Sequence, residues 1–257
     1  MSGFGILVRK ELQEAWRSRR LPVIALLFVA VGIVSPLTAR YLAEILKAAI
    51  GDQLTIPIPV STAETAIGQL QKNLGQLGAL AAIGLAMGSV SGELDRGTAA
   101  LVLAQPIGRP AFVLAKLAGI GAVLGISIVL AMAAAWTYTA ILFQPLPVAG
   151  WVALALLSWL SLFAWAALTL LASTATGSTT AAAGVGFVGL VVISLLAVVP
   201  ALDHVLPTGL AGPAALLAAG QGGGVDGAQL ASAVAGTVVI IGLCAAGGVL
   251  AFTRREL

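Results

Sequence analysis

The residue types that could do chemistry are few in this chain and stand apart. His204 is the sole histidine and lies beside Asp203, and Cys244 is the sole cysteine. A metal centre needs three or four converging ligands, and an acid-base pair needs a partner at hydrogen-bond distance. The sequence offers neither around His204, and Cys244 sits in an apolar run as a small hydrophobe would. Glu93 and Asp95 form a carboxylate pair in a stretch that faces water, but Arg96 follows directly, so the spacing describes ordinary salt bridges. No Gly-Lys pair occurs anywhere, which excludes a phosphate-binding loop of the G-x-x-x-x-G-K-[ST] kind. The expectation is a chain that is not itself an enzyme and binds no cofactor of its own.

The elements that carry these residues are apolar. The chain has 257 residues, 60% hydrophobic and 9% charged, with a mean hydropathy of +1.07. Ordinary soluble domains carry about 25% charged residues. The composition is that of an integral membrane protein, and its long apolar runs suit helices rather than the ten-residue alternation of an outer-membrane barrel. A single cysteine excludes an internal disulfide framework. The net charge of +3 is small, and no basic cluster with interleaved aromatics points to nucleic acid.

Residues 1–20 place Phe4, Val8, Leu12, Ala15 and Trp16 on one helical face, with Arg9, Lys10, Gln13, Glu14, Arg17 and Arg20 mostly opposite. This describes an amphipathic elbow helix in the membrane interface. A signal-peptide head is the alternative, opposed by Glu11, Glu14 and a poor cleavage site. Six spans are expected at 21–39, 76–91, 111–143, 151–172, 181–200 and 229–252, with extracytoplasmic segments at 40–75 and 201–228. Ser61 and Glu64 read as a capping box that starts the second helix in water. Ser173 to Thr180 reads as a polar connection, and Leu210 to Ala219 as a short re-entrant or interfacial helix. Gly84, Gly88 and Gly92, and likewise Gly121 and Gly125, give small faces on which helices can approach closely.

Between the second and third spans lies a cytoplasmic loop at 92–110. Gly97 is placed to take the left-handed conformation that ends a helix, and Thr98 to cap another. Ala99 to Gln105 then make about two apolar turns before Pro106 stops them, too few to cross a bilayer. Such a segment must lie at the interface or bury itself in a partner. Pro110 can begin the third span, and Lys116 inside it can snorkel back to water. With the termini and this loop inside, inner segments hold ten basic residues, against Arg40, Lys47 and Lys72 outside. That distribution makes both termini cytoplasmic in an inner or plasma membrane. Apart from Lys116, the expected spans hold no Asp, Glu, Lys, Arg or His, so coupling to an ion gradient has no obvious internal machinery. Energy for uphill transport would have to come from another subunit.

The order Lys10-Glu11, Trp16-Arg17, Gly92-Glu93, Arg96-Gly97-Thr98, an apolar half-dozen, Pro106, Arg109 and Lys116 resembles the permeases of ABC type-2 transporters. Within them it is similar to the subgroup containing the nitrous-oxide-reductase maturation permease. The resemblance implies an all-α polytopic protein whose first cytoplasmic loop is a coupling helix docked on a separate ATPase subunit. Glu93, Arg96, Gly97 and Thr98 would shape the docking turn, Leu101, Val102 and Leu103 would form its apolar face, and Pro106 and Arg109 would set the return. The elbow residues Lys10, Glu11, Trp16 and Arg17 would flank the contact. It also implies two ATPases holding ATP and Mg, a second permease copy, most simply a homodimer, and export; the apolar spans and the net −2 of the outer segments fit a hydrophobic, amphiphilic or peptide substrate. A membrane assembly, maturation or sensing subunit of the same shape is the alternative.

Overall fold

The apolar runs form helices, and no strand occurs among the described residues, which in this computed structural model are 3–50, 61–97 and 108–254. Helix α1 is Gly3–Arg17, and a tight turn at Ser18 and Arg19 leads into α2, Arg20–Ile50. The second span is built from α3 (Ala63–Asn73), a π-helical turn at Leu74–Gly78, α4 (Ala79–Met87) and α5 (Ser91–Asp95). Among the described residues the longer helices that follow are α6, Arg109–Leu142; α7, Val148–Thr176; α8, Thr179–Leu196; and α9, Ala211–Ala218, with shorter turns between α8 and α9. The last, α10, is Gly227–Thr253. Six of these stretches are long and apolar enough to cross a membrane.

The centre of the bundle is α6 and α7. Helix α6 lies along α2, where Gly32 allows the backbones to meet: a Cβ there would collide with the Ala131 carbonyl. Gly121 and Gly125 of α6 receive the stacked rings of Phe163 and Trp159, 5.0 Å apart, and the Trp159 indole donates to the Gly121 carbonyl at 2.8 Å. That small face packs as the sequence suggests. The other is open at Gly84, where a Cβ would meet nothing within 4 Å, while Gly88 faces the Thr179 side chain of α8. Helix α8 packs on α7 and α4 through Gly186 and Gly189, against Thr169, Ile83 and Leu168, and leaves most of its apolar surface uncovered.

Several sequence expectations move. Helix α2 continues past residue 39 to Ile50, because Arg40-Tyr41-Leu42-Ala43-Glu44-Ile45-Leu46-Lys47 contains good helix formers and no breaker. The cap of α3 is Thr62 paired with Thr65 rather than Ser61 with Glu64. Ser173 to Thr176 is not a connection but the last turn of α7; the break is only Gly177, left-handed at φ +65°, and Ser178, which caps α8. A short helix does occupy residues 211–218.

Candidate functional site: a buried ion network beside the first loop

Three elements meet at the basic end of the bundle. Helix α1 supplies Lys10, Glu11 and Glu14, α5 supplies Glu93, and α6 supplies Phe112 and Lys116. The Lys116 Nζ lies 2.6 Å from Glu93 Oε1 and 3.0 Å from each carboxylate oxygen of Glu11. It is 3% exposed, and 5.3 Å above the centre of the Phe112 ring. Lys10 completes the network at 3.2 Å from Glu93, 3.2 Å from Glu11 and 3.3 Å from Glu14, the last an i,i+4 pair along α1. Gly119 makes room for this arrangement, since a Cβ on it would lie 2.8 Å from the Glu11 Cβ.

Two ammonium groups thus face three carboxylates, and burial decides what that means. An ion taken out of water loses several kcal/mol of solvation, which only close partners offset. Each buried charge here has such partners on another helix, so the network is a clasp joining α1, α5 and α6. Burial alone would push the Lys10 amine toward neutrality, but the carboxylates of Glu11, Glu93 and Glu14 outweigh it and hold its pKa above the usual lysine range. Lys10 therefore stays cationic across physiological pH. The Glu11, Glu14 and Glu93 carboxylates lie within 4.8 Å of one another, a spacing a divalent ion could use. Lys10 and Lys116 already bridge these carboxylates, so the arrangement describes an ion network.

The same clasp holds the entrance to the segment at 98–107. Beyond Glu93, the Arg96 side chain folds back to donate to the Gly92 carbonyl at 2.8 Å, and Gly97 takes φ +69°, the left-handed conformation expected of it. Thr98, Leu101, Val102, Leu103 and Pro106 lie outside the described residues. At the exit, Arg109 begins α6 and donates to the Thr253 carbonyl at the end of α10, at 2.9 Å. Both flanks of the loop are therefore tied to other elements. On α1, Lys10 and Glu11 join the clasp, whereas Trp16 and Arg17 are exposed at its far end.

Sequence reasoning missed the clasp itself. Lys116 does not snorkel to water, and Glu93 does not pair with Arg96; the two find each other, and Lys116 also donates to Glu11, 105 residues away. The one available signal was that Lys116 and Glu93 are charges bordering long apolar runs, which a bundle cannot bury singly.

A helical bundle with six candidate spans and a charged clasp at one end is a multi-pass membrane protein by length and composition. Residues 6–218 match the model of the ABC-2 family transporter protein, and the chain belongs to that family. It is also similar to the uncharacterized transmembrane protein YxlG of Bacillus subtilis (strain 168), 27% identical over 112 residues. That alignment covers 43% of this chain and 43% of the relative, so it spans less than half of either.

Proposed function

We propose that the chain is the permease subunit of an ATP-driven ABC transporter, coupled to separate ATP-binding subunits through the 92–110 loop. The observation that carries this reading is the anchoring of both loop flanks. Glu93 is clasped to α1 and α6 at the entry, and Arg109 is tied to the end of α10 at the exit. A segment held this way can pass a push from a docked partner into several spans at once, which a loosely tethered loop cannot. Family membership and the ten-to-three distribution of basic residues support a cytoplasmic position for the loop and both termini, in an inner or plasma membrane.

In this reading Leu101, Val102 and Leu103 form the docking face, Thr98 and Gly97 shape its start, and Pro106 its end. Helix α1 is the elbow, with Trp16 and Arg17 beside the contact. The ATPases, two per transporter, hold ATP and Mg. The uncovered apolar length of α8 supports a second permease copy, and a symmetric pair is the commonest oligomer. The cargo class, exported and hydrophobic, amphiphilic or peptide-like, is supported by the apolar spans and by the outer segments, whose three basic and five acidic residues leave a net charge of −2. Coexpression with an ATP-binding-cassette protein tests the reading: the two copurify, and Leu101→Asp separates them. Equal recovery with the variant overturns the docking assignment, and copurification without substrate movement favours the assembly or sensing reading.

A further inference from the structure

Next to the clasp, a cleft of about 530 Å³ opens between the α1–α2 turn and the glycine face of the second span. Arg19 and Arg20 stand on one side and Arg96 on the other, with Val23, Gly84 and Leu85 among the residues between. All three arginines are exposed. The turn that brings two of them here is specific. Arg19 is the only non-glycine with a positive φ among the described residues, at 61°, held by Arg19 N–H donating to the Trp16 carbonyl and Val23 N–H to the Arg19 carbonyl.

The charge in this cleft is offset only in part, since Arg20 and Arg96 also border the adjoining pocket, in which three carboxylates face two lysines. The nearby carboxylates of Glu11, Glu14 and Glu93 are engaged by Lys10 and Lys116, and among the described residues no carboxylate forms an ion pair with Arg19, Arg20 or Arg96. Below the arginines the trough is apolar and open. Val23 is 61% exposed, a Cβ on Gly84 would meet nothing within 4 Å, and one on Gly88 would meet only the Thr179 side chain, at 3.5 Å. A free anion has no use for the trough, and an apolar helix has none for three unpaired cations. An anionic head with a hydrocarbon tail uses both.

We propose that this cleft binds an anionic phospholipid of the leaflet at the basic end of the bundle, its phosphate among Arg19, Arg20 and Arg96 and its first acyl segment along Gly84 and Gly88. The proposal needs α2 and the second span to lie in a membrane and is independent of ATPase docking. Native mass spectrometry of the purified full-length protein, with phosphatidylglycerol, phosphatidylcholine and free glycerol phosphate as probes, tests it. Phosphatidylglycerol should be retained over phosphatidylcholine, and Arg20→Gln and Arg96→Gln should each weaken that retention about five-fold. Gly84→Leu, which enters open space and keeps every arginine, should remove the preference with unchanged thermal stability. Equal retention of the two lipids, or arginine variants indistinguishable from wild type, overturns the site. So does an unaffected Gly84→Leu, which would reduce the effect to surface charge, or displacement by glycerol phosphate, which would make it a free-anion site.

Discussion

The second span departs from regular α-helix twice, and the two departures use different chemistry. Between α4 and α5 the ladder breaks at residues 88–90. There the Ser173 hydroxyl of α7 inserts, donating to the Met87 carbonyl at 2.8 Å and accepting from the Ser91 N–H at 3.1 Å. Just beyond it stands the charged clasp. At the other end the π-helical turn at Leu74–Gly78 is preceded by uncharged amides. Asn73 donates to Ser35 at 2.8 Å, Gln71 donates to the Ala211 carbonyl at 3.1 Å, and Ser158 donates to Gln71 at 3.2 Å. Losing one partner from the amide track leaves a dipole that can turn to a neighbour or to water. Losing one from the clasp leaves a buried ion, and so the clasp acts as a unit and the track as a set of separate bonds.

The largest expected effect breaks the clasp at its centre. Lys116→Ala leaves Glu93 and Glu11 buried around one remaining lysine and should cost about 3–5 kcal/mol of stability, read as a fall in folded fraction during denaturation in detergent. Lys116→Met combined with Glu93→Met leaves Lys10 and Glu11 paired, and should recover most of that loss. Strict additivity of the two single variants would contradict a cooperative unit. An intermediate effect is expected at the break. Ser173→Ala removes the bridge between Met87 and Ser91 and should cost about 1–2 kcal/mol in the same assay. At the amide end, Asn73→Leu should cost only about 0.6 kcal/mol. The smallest contrast lies between the glycine faces: Gly84→Ala should be silent, whereas Gly121→Ala must displace the Phe163 ring, which lies 2.8 Å from where its Cβ would be.

The same contrast shows what could be read from the sequence. The six spans were legible because bilayer length and apolar composition are local properties, and Gly97 and Pro110 marked the loop because each is costly inside a helix. Polarity was a poorer guide. Ser173, Thr174 and Thr176 looked like a loop, but hydroxyls can back-bond within a helix, as Thr176 does to the Ala172 carbonyl at 2.8 Å. The clasp depends on three helices meeting, with Glu11 and Lys116 far apart in sequence, and no spacing rule joins them. The glycine stripes were visible, but which one packs depended on where Trp159 and Phe163 of α7 came to rest.

The proposed function requires the charged end of the second span to face the cytoplasm and receive an ATPase subunit, while the amide end faces outward. Because Cys244 is the sole cysteine, Cys244→Ser gives a background for placing single thiols. Asp95→Cys and Gln221→Cys are exposed sites at the clasp end and beside the amide end, and each can be probed with a membrane-impermeant maleimide in right-side-out and inverted vesicles. Asp95→Cys should react only in inverted vesicles and be shielded when the ATP-binding subunit is added, while Gln221→Cys should react only in right-side-out vesicles. Reaction of Asp95→Cys from the outside, or no shielding in a complex that has formed, would contradict it.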